Sequence, residues 1–160
     1  MKLSKNLSLS ETTKSNTAIR RGINNTPTDL HIANLQYLAE KVFQPIREHF
    51  GSAIYVSSGY RSKALNKAIG GSKTSFHSHG MALDLDMDGR SNKITNADIF
   101  NYIKDNLPYS ELIWEFGTED NPNWVHVAIA KGREDEKITK IAYKCNYSKT
   151  QYKAWDKKLK

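Results

Sequence analysis

The sequence predicts an α+β fold in a single domain, and three observations carry that reading. Residues 80–87 and 124–130 alternate apolar and polar side chains in the period of a half-buried strand. Residues 26–46 and 96–107 repeat their apolar positions at helical spacing. A length of 160 residues suits one continuous core and does not divide comfortably into two.

The opening residues to about Asn25 are polar and are expected to wrap the domain as loop with a short helix. Thr26 is expected to cap the first long helix and Pro27 to open it. Ile32, Leu35, Ala39, Val42 and Ile46 form its apolar stripe, and a kink is expected near Pro45, which lacks an amide hydrogen. AIYVSSGYR (53–61) reads as a strand ending in a turn, and SKALNKAI (62–69) as a short helix stopped by Gly70 and Gly71. From Gly80 onward, Met81, Leu83, Leu85 and Met87 share one face, and Ala82, Asp84 and Asp86 the other. NADIFNYIKDNL (96–107) is an amphipathic helix. ELIWEF and WVHVAIA, joined by the turn-rich GTEDNPN, are two antiparallel strands. After about residue 131 the chain is rich in Lys with interspersed Tyr and reads as a basic C-terminal extension.

Composition narrows the function. With 38% hydrophobic and 26% charged residues the chain has the balance of a water-soluble domain, and no apolar run approaches the roughly 20 residues of a membrane span. The polar N-terminus lacks the apolar segment of a Sec signal peptide, so synthesis in the cytoplasm is expected. One cysteine, Cys145, excludes an intramolecular disulfide framework and a Cys-rich metal site. A formal charge of +7 predicts salt-dependent attraction to polyanions without naming one.

Chemistry concentrates in Ser75-Phe76-His77-Ser78-His79-Gly80-Met81-Ala82-Leu83-Asp84. A histidine just before a strand, an aspartate on that strand's polar face and His126 on the polar face of another strand offer two imidazoles and a carboxylate. That donor set suits a borderline divalent ion with one position left open. A solvated strand face with hydrogen-bonded histidines fits the same periodicity. Calcium fits less well, because imidazole is a poor ligand for it.

The segment Ser75 to Asp84 follows the pattern SxHxxGxAxD and resembles the signature of the zinc D-alanyl-D-alanine peptidases, a family that includes VanX-like dipeptidases and bacteriophage endolysins. SSGYRS (57–62), LNKAIGGS (65–72), LIWE (112–115) and WVHV (124–127) follow in the family's order, so the resemblance covers most of the chain up to about Ala130. It implies the Hedgehog/DD-peptidase fold, in which a small antiparallel sheet carries a zinc site and helices pack on the other face. It implies Zn2+ bound by His77, Asp84 and His126, Arg61 beside the scissile carbonyl, and Tyr60 and Ser75 binding or orienting substrate. The implied activity is hydrolysis of peptide bonds in bacterial peptidoglycan, in stems or cross-links containing D-amino acids, by a monomer acting at the cell wall.

One departure matters. Relatives place an acid three residues before the last histidine ligand, where this chain has Asn123. Glu115, at the end of the LIWE strand, is the expected general base, with Glu119 and Asp120 as alternatives. The loss of that acid also leaves open a zinc-containing wall-binding module without catalysis. Asp86 is a candidate hydrogen-bond partner for a ligand histidine, His79 is expected to face solvent or support the site, and His31 and His49 are expected to be structural. The basic extension is expected to attract anionic wall polymers; a nucleic-acid partner would leave the SxHxxGxAxD motif unexplained.

Overall fold

The computed structural model describes residues 1–145 and 149–156; part of the basic C-terminal segment, 146–148 and 157–160, lies outside the described residues. The N-terminal stretch is more ordered than its polarity suggests. It forms a hairpin of β1 (Lys2–Ser4) and β2 (Leu7–Ser8), then two short helices, α1 (Leu9–Thr13) and α2 (Asn16–Arg21). Leu3 and Leu7 are buried and anchor it to the core.

Thr28, not Thr26, caps the first long helix: its hydroxyl accepts from the His31 amide 3.3 Å away, and the His31 ring accepts in return from the Thr28 amide. Helix α3 (Asp29–Leu38) runs through a π-helical turn (Ala39–Phe43) into α4 (Gln44–Phe50). The turn lies directly before Pro45, whose missing amide and bulky ring disturb the ordinary ladder. The wider π turn is the accommodation, in place of a simple proline kink. It keeps Leu38, Ala39, Val42, Phe43 and Ile46 buried together.

The strand read in 53–61 shortens to β3 (Val56–Ser58), followed by α5 (Lys63–Ala68) under a Ser62 cap. A 3₁₀ turn (Phe76–His79) leads into β4 (Ala82–Leu85); then come α6 (Asn96–Asn106) behind a Thr95 cap, β5 (Glu111–Glu115) and β6 (Trp124–Ala128). The final strands are β7 (Ile138–Tyr143) and β8 (Gln151–Ala154). No helix of the described residues is long and apolar enough to cross a membrane.

The α+β reading stands, but the sheet is neither small nor wholly antiparallel. Its six strands run in the order β3-β4-β6-β5-β7-β8, and β7 lies parallel to β5. Topology explains the parallel pair. Strand β6 ends at Ala128, opposite Glu111 at the start of β5, and β6's other edge is already taken by β4. A short connection can therefore dock only on β5's free edge, starting where β5 starts. The segment expected as an extension is thus built into the sheet.

Leu83, Leu85, Leu112, Trp114, Val125, Val127 and Ile129 turn to one face and pack with Leu35, Phe43, Ile46, Ile99, Phe100 and Ile103 from the helices. Each such side chain contributes about 1.5–3 kcal/mol on burial. A slip of one residue in β4 or β6 would place Asp84 or His126 in that core, so the apolar face fixes which residues the opposite face presents.

Candidate metal centre and active-site cleft

On the face opposite the core, Asp84 and His126 are direct partners across β4 and β6. His77 arrives from the 3₁₀ turn just before β4. Ser75 caps that turn by accepting from the His77 amide at 3.2 Å, so its observed role is to fix the backbone that carries the histidine. Gly80 ends the turn at φ 68°, and a Cβ there would lie 2.6 Å from the His31 carbonyl oxygen. The motif's glycine is therefore a requirement of both backbone conformation and close packing.

His77 Nε2 and His126 Nδ1 each lie 3.2 Å from the same oxygen, Asp84 Oδ1. The three ligand atoms fall within 4.8 Å of one another. Ligands about 2.1 Å from a tetrahedral ion stand about 3.4 Å apart, so the spacing fits a divalent metal. The ring orientations fit as well. His77 Nδ1 is 2.7 Å from the Gly59 carbonyl oxygen and donates to it, which leaves a lone pair on Nε2 aimed at the carboxylate. A lone pair and a carboxylate oxygen facing each other suit a cation between them. Gly59 is itself held closely: a Cβ would stand 2.4 Å from the Thr12 carbonyl oxygen.

His126 is oriented by a residue that the sequence reading passed over. Its Nε2 donates to Glu111 Oε1 at 3.0 Å, and Lys140 Nζ donates to Glu111 Oε2 at 2.8 Å. A signal was present, since Glu111 shares its strand parity with Glu115. Lys140 is directly across from Ile113, which pairs with His126.

Electrostatics follow this network. Burial alone would raise the Asp84 carboxyl, but the charges and hydrogen bonds of His77 and His126 outweigh it and hold the group far below its usual range. Burial would likewise lower His126, yet hydrogen bonds to Asp84 and Glu111 raise it to about 9. For Glu111, burial is outweighed by His126 and Lys140, leaving it at about 2. His77 is lowered, chiefly by burial, and stays neutral near neutral pH. Without metal the centre is a neutral imidazole, a carboxylate and an imidazolium whose Nδ1 proton occupies a metal position.

The cluster opens into a cleft of about 960 Å³ whose walls include Arg61, Glu115, Trp124, Lys140 and Tyr152. Glu115 is buried, and desolvation is the main cause of its rise to about 7; neighbouring Asp84 and Glu111 push the same way, against His126 and Arg61. Glu119 and Asp120 are exposed in the β5–β6 turn, and neither lines the cleft. Asn123 closes that turn, its amide donating to the Glu115 carbonyl at 2.9 Å.

Arg61 is desolvated, which lowers its pKa against the opposing pull of Asp84 and Glu115. Its Nε is buried without a hydrogen-bond partner, and it makes no salt bridge among the described residues.

Other expectations are redirected. Tyr60 is 5% exposed, belongs to the core, stacks on His31 at 4.8 Å and does not line the cleft. Asp86 accepts from Asn96 Nδ2 at 3.2 Å and from the Asp88 amide, leaving the ligand histidines to other partners. His79 is exposed. His31 caps α3, and His49 stacks on Tyr102 at 3.9 Å.

Comparison with known proteins agrees with this geometry. A family model described as Peptidase M15 matches residues 5–128. The chain belongs to the M15 peptidase family. All three candidate ligands, Arg61 and Glu115 fall within the matched segment, whereas β7 and β8 lie beyond it. Peptidases of this family depend on a metal, and His77, Asp84 and His126 are the M15 chain's candidate for holding it. A search of curated proteins returned no match.

Proposed function

We propose that this M15 peptidase hydrolyses amide bonds in bacterial peptidoglycan, in stem peptides or cross-links containing D-amino acids, and serves as a wall-degrading enzyme of the endolysin type. The observation that carries the reading is the convergence, in one cleft of an M15 chain, of a His77, Asp84 and His126 cluster with a buried carboxyl at Glu115. Zinc is the metal we assign, from the two-imidazole, one-carboxylate donor set; when bound, it polarises a carbonyl and acidifies water.

The chain's own groups supply the rest. Glu115 takes a proton from the attacking water and delivers it to the departing amine nitrogen, and its affinity near neutrality suits both transfers. Arg61 turns its fixed charge toward the oxygen that becomes negative as the amide carbon becomes tetrahedral. Glu111, steadied by Lys140, keeps His126 oriented with Nδ1 toward the cluster. A carboxyl in the cleft favours hydrolysis over a wall-binding module that has lost its base at Asn123. The basic surface suits anionic wall polymers, and we assign the enzyme a monomeric state acting at the wall.

Digestion of purified peptidoglycan by the zinc-loaded protein, with mass spectrometry of the soluble products, tests the assignment. New amino termini within stem peptides or cross-links are expected, together with intact glycan chains. Cleaved glycosidic bonds, or no soluble product, would overturn it.

A further inference from the structure

The M15 match stops at residue 128, yet the cleft is closed by strands that follow it. Register across the sheet places one of their side chains beside the proposed base. Trp124 pairs with Glu115, Glu115 with Ala142, and Ala142 with Tyr152, so these residues form one row across β6, β5, β7 and β8. Residues paired in register project to the same face. Trp114, Ile141 and Trp155 take the other face and pack in or against the core, which confirms the parity.

Glu115 and Tyr152 are thus separated by two strand spacings, about 10 Å at the backbone. Ala142, fully buried, is the residue between them in the row. Tyr152 lines the cleft with the metal-ligand cluster and Glu115 and is 53% exposed. Its hydroxyl has no hydrogen-bond partner among the described residues, and the Lys140 ammonium lies 5.8 Å from its ring centre. Burial first, and then the charges of Glu115, Glu111 and Asp84, raise its pKa and keep the O–H protonated as a donor. Arg61 follows β3 at one edge of the sheet and Tyr152 lies on β8 at the other, so the two flank the cluster.

We propose that Tyr152 is a further catalytic residue: from the β8 wall of the cleft, its hydroxyl donates a hydrogen bond to a carbonyl oxygen of the bound peptide, on the β8 side of the scissile bond. The proposal rests on the peptidase reading. It gives the residues beyond the M15 match a direct part in substrate recognition.

The test uses the full chain loaded with zinc and a soluble muropeptide. Tyr152→Phe keeps the ring and removes the donor, so kcat/KM should fall about 10-fold or more while metal affinity and Tm stay unchanged. In the Glu115→Gln background, muropeptide binding measured by calorimetry should weaken when Tyr152→Phe is added. A metal-loaded Tyr152→Phe protein with wild-type kcat/KM and wild-type binding overturns the proposal. A wild-type protein that leaves every muropeptide uncut overturns instead the peptidase reading on which it rests.

Discussion

Glu111 and His126 meet at 3.0 Å across adjoining strands, and the same glutamate is gripped on its other oxygen by Lys140 from β7. The nitrogen that His126 offers to the candidate metal centre is thereby chosen from behind. With Nε2 committed to Glu111, Nδ1 is the atom left to face Asp84 and the metal.

Glu111→Gln keeps the shape but weakens the acceptor that fixes the ring. Zinc affinity, measured by chelator competition at pH 7.5, is expected to fall about 10- to 100-fold with the fold retained. Unchanged affinity would make Glu111 a bystander.

Glu115→Gln is expected to leave zinc bound and to lower hydrolysis at least about 100-fold, because the amide cannot accept a proton. Glu119→Gln and Asp120→Asn should stay near wild type, their side chains being exposed outside the cleft. Single-turnover rates of the three variants on one muropeptide check this.

Arg61→Ala should retain metal and lower kcat/KM by about two to three orders of magnitude, as expected for loss of a donor to the developing oxyanion. Near-normal turnover would return Arg61 to a packing role.

Much of the site is legible in the chain because its parts are local. His77 and Asp84 stand within one short motif, and the alternation of β4 and β6 fixes the face that Asp84 and His126 share. What the sequence hides is non-local. The Glu111–Lys140 contact depends on β7 docking parallel to β5, and nothing within ITKIAY announces its partner strand. The burial of Tyr60 against His31 is hidden because the chain leaves strand geometry after Ser58 and parity no longer tells which way a side chain turns. The π turn before Pro45 answers packing on both sides of the proline, which periodicity does not report.

The metal-free protein should lose stability as pH rises from about 7 to about 9. His126 is raised, so its contribution is complete below its unfolded value and disappears as pH climbs through about 9. Glu115 is also raised, and ionising it in place costs stability between its unfolded value and about 7, where the lowered His77 acts in the opposite sense. Asp84 and Glu111, both lowered, act oppositely and weaken the fold only in acid, as pH falls below their unfolded values. Thermal melts of chelator-treated protein should show this decline, with saturating zinc opposing it. A melting temperature flat across that range would contradict the charge assignment.

The central claim, that His77, Asp84 and His126 together hold the metal on which hydrolysis depends, is tested most directly by measuring bound zinc per chain in the wild type and in three single alanine variants. About one zinc per wild-type chain is expected, with His77→Ala, Asp84→Ala and His126→Ala each losing most of it, since two protein ligands do not retain the ion as three do. Full occupancy in all three folded variants would contradict the account.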